Sequence, residues 1–203
     1  MSRYRGPKTK LERRENMYLS LKQKNKFEKR PYIPGEAKNR RTRRLTGYGE
    51  QLREKQKVKR MYGLQEKQFH SYFLSAAKSK GITGDILLQI LERRLDNTLF
   101  RVGFAPTRAS GRQLVSHGHI LVNGKKMNIP SYQVSKGDTI TVREKGRKIP
   151  VIIETIENAS KATLPSWLQL NSDEFKGVVL ELPSREDITT PINDNLIIEL
   201  YSK

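Results

Sequence analysis

The sequence predicts an α+β protein with a basic, extended N-terminal arm, a helical domain and an inserted α/β domain. Three observations lead to this prediction. Apolar residues recur at helical intervals between Gly49 and Val102. Short β-prone runs separated by turn signals follow between Ile120 and Leu182. Residues 1–44 contain few apolar side chains and two proline-containing breaks.

The predicted boundaries follow from these changes of pattern. The arm covers residues 1–44, the helical domain covers 45–92 and is completed by 184–203, and the α/β domain covers 93–183 with a core motif at 95–148. That core consists of two short helices and a small antiparallel sheet.

The arm is predicted to be extended because Gly6-Pro7 and Pro31–Gly35 interrupt any helix. It is either a solvated tail or a segment that becomes ordered on a polyanion. The second hypothesis is favoured by four arginines, since guanidinium groups pair bidentately with phosphate. These are Arg40, Arg41, Arg43 and Arg44. Four interleaved aromatic residues could stack on bases or pack on the folded body: Tyr4, Tyr18, Phe27 and Tyr32.

The helical domain begins near Gly49. Glu50–Met61 is rich in helix-forming residues, and Gly63 can end that helix. A second helix, Glu66–Lys80, has an apolar face. A third is predicted to open at Thr83, with apolar residues that recur at helical intervals as far as Val102. It carries an apolar stripe formed by Leu88, Leu91, Leu95, Leu99 and Val102.

The α/β domain follows. Gly103 ends the preceding helix, and Thr107 is a plausible N-cap for a short helix over Ala109–Ser116. Asn123-Gly124 predicts a two-residue hairpin turn after the strand Ile120–Val122. A second turn, at residues 135–138, leads into the strand Thr139–Arg143.

The C-terminal region predicts two more strands, Trp167–Leu170 and Val178–Leu182, around a turn near Lys176-Gly177. The apolar segment Leu196–Tyr201 is expected to pack on the helical domain.

Charge is distributed unevenly along the chain, whose net charge is +19. Residues 1–70 carry 22 basic and 7 acidic side chains, residues 71–150 carry 14 and 5, and residues 151–203 carry 4 and 9. A basic front with an acidic tail indicates a polyanionic partner for the first two-thirds. Nucleic acid is favoured over an anionic membrane, because no apolar stretch would anchor a membrane binder.

The sequence lacks the residues that several classes of function require. The chain has no Cys, so it has neither a disulfide framework nor a thiolate metal site. It has no apolar run long enough to span a bilayer, no phosphate-binding loop of the Walker type and no nucleophile elbow. His117 and His119 lack a well-spaced third metal ligand and are interpreted as polar turn residues near RNA. We predict no cofactor, no metal and no catalytic residue.

One motif favours an alternative function. Arg94-Leu95-Asp96 is similar to the catalytic core of pseudouridine synthases, some of which carry an accessory RNA-binding module. The rest of the chain is too short and too charged to supply their separate catalytic domain. Asp96 is therefore interpreted as a helix residue that orients Arg93 or Arg94. A non-ribosomal RNA-binding or rRNA-modifying protein stays open as the alternative.

The core motif resembles a known family. Leu95-Asp96-Asn97, Arg101–Ala105, Ala109-Ser110 and His117-Gly118-His119 are similar to the RNA-binding module of the small-subunit ribosomal protein S-four family, bacterial and plastid type. The resemblance extends to Met1–Pro7, Lys57–Phe69 and Asn195–Ser202, so it covers nearly the full length.

The resemblance implies a structural component of the small ribosomal subunit in the cytoplasm or a plastid. It implies binding to the 5′ domain of the rRNA, nucleation of the subunit body, contact with ribosomal protein S-five, an influence on translational accuracy, and a place at the mRNA entry region. Many bacterial members have an N-terminal zinc-binding Cys cluster, which this chain lacks. The segment Asn16–Lys29 is also divergent, so arm contacts are not carried over.

Charge and resemblance together predict a set of RNA-contacting residues. Arg108 and Arg112 lie four residues apart, so a helix directs both to one side. The full set is Arg3, Arg5, Arg40, Arg41, Arg43, Arg44, Lys57, Lys59, Arg60, Arg93, Arg94, Arg101, Arg108, Arg112, His117, His119, Lys125 and Lys126.

Overall fold

The computed structural model describes residues 4, 6–18, 30, 32–35, 45–160, 163–188 and 190–202. The chain divides into two compact units, one of Met1–Lys78 with Pro191–Lys203 and one of Ser79–Thr190. The compact units thus meet at residue 78, whereas the boundary predicted from the sequence lies at residue 92. The helix Thr83–Glu92 joins the second unit because Gln89 donates to the Pro183 carbonyl and Glu92 binds Arg101.

The first unit contains four described helices: α1 Lys8–Glu15, α2 Gly47–Met61, α3 Glu66–Lys78 and α9 Asp194–Tyr201. The side chain of Thr46 caps α2 by accepting from the Gly49 amide at 3.2 Å. The core is apolar and includes Val58, Phe69 and Phe73 from α2 and α3, with Ile197 from α9. The C-terminal segment thus packs on α2 as a helix.

The prediction of an extended arm is wrong for Lys8–Glu15, which forms α1. Pro7 stands at the N-cap, where its missing N–H costs no helical hydrogen bond, so Gly6-Pro7 begins a helix instead of preventing one. Asn16 ends it in the left-handed conformation at φ 50°. Glu12 is fully buried, which shows that α1 packs on the body of the unit.

The second unit contains the helices α4 Thr83–Glu92, α5 Leu95–Val102, α6 Arg108–Ser116, α7 Glu144–Arg147 and α8 Pro150–Ser160. Its strands are β1 Ile120–Val122, β2 Lys125–Met127, β3 Thr139–Val142, β4 Leu168–Asn171 and β5 Lys176–Val179. They form an antiparallel sheet in the order β2-β1-β3-β5-β4. The α+β class is therefore confirmed.

The core of the second unit is packed from both the helices and the sheet. Leu95 and Leu99 of α5 lie with Ile120 and Ile140 of the strands, and all four are fully buried. Ile152 belongs to the same core and comes from α8, a helix that the sequence reasoning did not identify.

The helical pattern predicted from Thr83 to Val102 is interrupted at Arg94, whose ψ of 135° is extended. Two backbone bonds replace helical ones there. The Leu95 amide donates to the Tyr132 carbonyl at 2.8 Å, and the Asp96 amide donates to the Pro130 carbonyl at 3.1 Å. A contact between distant segments thus overrides a local apolar period.

The hairpin turn at Asn123-Gly124 is confirmed, since both residues have positive φ, 50° and 76°. The prediction of a turn near Lys176-Gly177 is wrong in its position. The turn lies earlier, where the Phe175 amide bonds to the Ser172 carbonyl and Phe175 has a φ of 54°. β5 begins immediately afterwards.

Candidate RNA interface

The site is built where α5 and α6 approach each other closely. A Cβ on Gly111 would lie 2.6 Å from the Asp96 carbonyl oxygen, so this position needs a glycine for steric reasons. Gly103, at φ 92°, ends α5, and Thr107 caps α6 by accepting from the Ser110 amide at 3.1 Å. The predicted N-cap is thus confirmed, and the close approach places the arginines of α6 beside the polar residues of α5.

Glu92 lies at the centre of one group of side chains, and its own side chain is 1% exposed. Arg101 donates to it twice, from Nε at 2.9 Å and from Nη2 at 2.7 Å. Asn97 donates its Nδ2–H to the same carboxylate at 2.6 Å, and its Oδ1 accepts from Arg108 Nε at 2.7 Å. The Arg108 guanidinium also stacks over the Phe100 ring at 4.7 Å.

Asp96 organises a second group. Arg94 donates to it from Nε at 3.0 Å and from Nη2 at 2.8 Å, and Arg112 Nη2 lies 2.7 Å from the carboxylate oxygen that accepts from Arg94 Nη2. Asp96 and Arg94 are each 2% exposed at the side chain. Asp96 therefore orients Arg94, as the sequence interpretation allowed, and also Arg112.

The expected RNA contact of Arg94 is corrected by this geometry. Its guanidinium is buried and satisfied by a bidentate pair, so it does not reach a surface where RNA could lie. Arg101, Arg108 and Arg112 are 14%, 17% and 18% exposed at the side chain and do reach the surface. Arg93 is half-buried and donates its Nε–H to the Val134 carbonyl.

A further group of basic side chains, which we call the hairpin surface, consists of His117, His119, Lys125, Lys126 and Arg143. The two imidazole rings lie 6.2 Å apart. The Lys126 side chain packs against Gly118, since a Cβ at Gly118 would lie 2.4 Å from Lys126 Cε. Arg143 donates to the Gly118 carbonyl at 3.2 Å. His117, Lys125 and Lys126 are exposed. The turn and the hairpin thus present one basic surface.

Arg143 was missed by the sequence reasoning, which took it only as the end of a strand. The available signal was the cation-rich run Arg143–Lys148, which begins as β3 ends. Arg147 and Lys148 in this run are exposed.

In the first unit the predicted cations are engaged with acidic partners. Lys57 binds Glu54 at 2.9 Å and also donates to the Pro191 carbonyl at 2.7 Å. Lys59 binds Glu66 at 2.8 Å. Arg60 binds Glu15. Their side chains are 19%, 16% and 22% exposed, so each keeps some surface.

The remaining predicted RNA contacts lie outside the described residues. These are Arg3, Arg5, Arg40, Arg41, Arg43 and Arg44.

Neither a metal centre nor a membrane span is found within the described ranges. There, no group of three or more His, Asp or Glu side chains is arranged to hold an ion. None of the helices in those ranges has the length and apolar character needed to cross a bilayer.

Comparison with known proteins identifies the family. The family model described as ribosomal protein S4/S9 N-terminal domain matches residues 3–92, and the model of the S4 domain matches residues 93–140. The small ribosomal subunit protein uS4 of Desulfatibacillum aliphaticivorans is 54% identical over 209 aligned positions, and that of Chlorobium limicola is 48% identical over 203. Both alignments cover the whole of both chains.

The protein of the same name from Syntrophus aciditrophicus is 53% identical, again over the full length of both chains. These relatives are ribosomal proteins and not enzymes, so the catalytic alternative raised by Arg94-Leu95-Asp96 is set aside. The residues that match the S4 domain model, 93–140, include Arg101, Arg108 and Arg112 and the hairpin of β1 and β2. The chain belongs to the small ribosomal subunit protein uS4 family.

Proposed function

We propose that this chain is a structural component of the small ribosomal subunit that binds the 5′ domain of its rRNA and nucleates assembly of the subunit body. The observation that carries the proposal is the similarity to small ribosomal subunit proteins, which extends over the full length with 48% and 54% identical residues. The net charge of +19 and its concentration in residues 1–150 support an RNA partner.

The RNA-contacting surface in this proposal has two parts. The hairpin surface offers exposed cations, and the α5–α6 pair offers Arg101, Arg108 and Arg112 with Arg93 beside them. Phosphate contacts supply affinity, while the shape of folded RNA supplies specificity. The arm arginines and the partly exposed Lys57, Lys59 and Arg60 extend the proposed contacts.

The finer assignments follow from the family resemblance and are proposals as well. The acidic C-terminal region is proposed to face a protein rather than rRNA, because its carboxylates would repel phosphate groups. The family resemblance suggests ribosomal protein S-five as that neighbour. Through that neighbour the chain influences translational accuracy, and it lies at the mRNA entry region. The proposed location is the cytoplasmic ribosome, which the bacterial relatives support, with a plastid ribosome as the other compartment.

Binding to a transcript of the rRNA 5′ domain at increasing salt tests the proposal. The wild-type protein should bind the transcript and lose affinity steeply with salt. Lys126→Gln should reduce the slope of log K against log salt by about one phosphate contact. Lys136→Gln is the matched control, because Lys136 is exposed but pairs with Glu181 at 3.6 Å, and its slope should equal that of wild type.

A second measurement concerns assembly. The protein should co-sediment with small subunits through a high-salt wash. A protein that binds the transcript no better than an unrelated RNA, and that washes off the subunits, would contradict the proposed function.

A further inference from the structure

Glu92 is a buried acidic residue that pairs with an arginine proposed to contact RNA. It lies at the end of α4 and is 1% exposed. Its two carboxylate oxygens receive three N–H groups, two from Arg101 at 2.7 and 2.9 Å and one from Asn97 at 2.6 Å. The sequence reasoning assigned no role to Glu92 or to Asn97.

The pair with Arg101 restricts that side chain strongly. A guanidinium group is planar and carries five N–H donors in a fixed fork. Two donors on one edge bind Glu92, so the plane and the direction of the other three are set by the protein. The side chain nevertheless reaches the surface, with 14% of its area exposed.

Asn97 extends this restriction to Arg108. Its amide nitrogen donates both to the Glu92 carboxylate and to the Glu92 main-chain carbonyl, at 2.6 and 2.8 Å. These two bonds fix the orientation of the amide, whose oxygen then accepts from Arg108 Nε at 2.7 Å. The same guanidinium lies over the Phe100 ring.

We propose that Glu92 is a positioning residue for RNA recognition, which fixes the guanidinium groups of Arg101 and, through Asn97, of Arg108 before RNA arrives. This inference rests on the proposed rRNA binding. A flexible arginine loses rotamer freedom when it binds a phosphate, and a side chain that is already held avoids most of that loss. Glu92 thereby favours one RNA shape over others without touching RNA.

For the loss of the Glu92 charge, the proposal predicts a change of RNA affinity opposite in sign to the one that electrostatic repulsion alone predicts. An acid near phosphate repels it, so removing the charge of Glu92 should strengthen RNA binding if charge were its only effect. If Glu92 positions the arginines, the same change weakens binding to the shaped rRNA. Binding to unstructured RNA, which requires no particular guanidinium orientation, stays equal or becomes tighter.

The test compares Glu92→Gln with Glu181→Gln, which removes an acid that is 75% exposed in the same unit. Both are titrated against a 5′-domain transcript and against poly-uridine over a range of salt. Glu92→Gln should bind the transcript about tenfold more weakly. Charge-assisted hydrogen bonds from Arg101 and Arg108 to phosphate contribute free energy of that magnitude, and the substitution would misplace both donors. Its salt slope should fall by about one to two contacts. Glu181→Gln should match wild type on both RNAs.

Glu92→Asp gives a second comparison, because it keeps the charge but withdraws the carboxylate by one methylene. It should also lose affinity for the transcript and keep its affinity for poly-uridine. Transcript affinity of Glu92→Gln equal to that of Glu181→Gln, or tighter, would overturn the proposal.

A measurement on the wild-type protein decides the matter even if the variants do not fold. Nitrogen relaxation of arginine Nε–H groups should show Arg101 and Arg108 rigid in the free protein, with order parameters of about 0.8, and unchanged on RNA. Values below about 0.6 that rise on binding would overturn the positioning role. If the wild-type protein does not bind the transcript at all, the proposed function fails instead, independently of this ordering.

Discussion

The hydroxyl of Tyr201 donates a hydrogen bond to Oε1 of Glu66 at 2.8 Å and so joins the end of α9 to the start of α3. Lys55 and Lys59 bind the same carboxylate at 2.6 and 2.8 Å. Burial would raise the pKa of Glu66, but hydrogen bonds from Lys55, Lys59 and Tyr201 outweigh it and lower the pKa to about 2. The ring of Tyr201 meanwhile packs on Phe73 at 4.7 Å between centroids.

This relationship predicts a pH dependence of stability. A folded-state pKa of about 2, below the ordinary 4.5, means that the ionised carboxylate stabilises the fold above pH 4.5 and that this contribution is lost as pH falls toward 2. Tyr201→Phe should lower the free energy of unfolding by about 1 kcal/mol at neutral pH, and by less in acid. Denaturant unfolding at several pH values measures it. Tyr48→Phe, at a residue that is 59% exposed, should have no effect.

Glu15 predicts the opposite pH dependence for the docking of α1. Burial raises the pKa of Glu15, and the nearby Arg53 and Arg60 offset this only in part. The protonated form is therefore favoured in the folded state, so the contribution of Glu15 is largest below its ordinary pKa and declines as pH rises through the raised value. Amide protection factors along α1 in the free protein should follow that trend.

Glu15→Gln removes the titrating group and should abolish this pH dependence, while Glu50→Gln on the exposed side of α2 should keep it. Absence of protection in α1 at every pH would contradict the docking of α1 in the free protein.

Asp96→Asn should be costly to stability. Asp96 holds two guanidinium groups, and Arg94 would be left buried without its charge partner. Removing one partner of a buried ion pair typically costs about 3–5 kcal/mol, more than the roughly 1 kcal/mol of a single hydrogen bond. Chemical denaturation measures the loss, and Asp173→Asn, at an exposed turn position, should change stability by less than about 0.5 kcal/mol. A loss below about 1 kcal/mol for Asp96→Asn would contradict the buried pair.

Gly111→Ala should separate α5 from α6. The new Cβ would meet the Asp96 carbonyl oxygen at 2.6 Å, and because that atom belongs to the backbone, the helices must move apart. We expect a loss of about 1–3 kcal/mol in the free energy of unfolding and weaker binding to the rRNA transcript. Gly47→Ala is the matched control, since a Cβ there meets nothing within 4 Å and should leave both quantities nearly unchanged.

Glu186→Lys should separate rRNA binding from contact with the proposed S-five neighbour. Glu186 is exposed, so reversing its charge should change affinity for isolated rRNA by no more than about twofold while weakening binding to purified S-five. The neighbouring Asp187 is unsuitable for this test. Its carboxylate accepts from Ser166 Oγ and from the Ser184 amide, both at 2.7 Å, and closes its own loop. A large loss of rRNA affinity in Glu186→Lys would place this surface on RNA.

The sequence determined the features that depend on local chemistry. The N-cap at Thr107, the turn at Asn123-Gly124 and the end of α5 at Gly103 are each set by a residue's own dihedral or hydrogen-bonding preference. The RNA-binding family was also evident, because its motifs consist of contiguous residues. The basic hairpin followed directly from side-chain charge.

Tertiary structure decided which cations are buried in ion pairs and which reach the surface. Arg94 and Arg112 appear equivalent in a sequence, yet one is buried in a bidentate pair and the other reaches the surface. The break at Arg94, the docking of α1 and the bonds of Glu92 to Arg101 and Asn97 likewise depend on residues that are far apart in the chain or on neighbouring helices. Charge type is a local property of the sequence, whereas desolvation and ion pairing depend on which residues folding brings together.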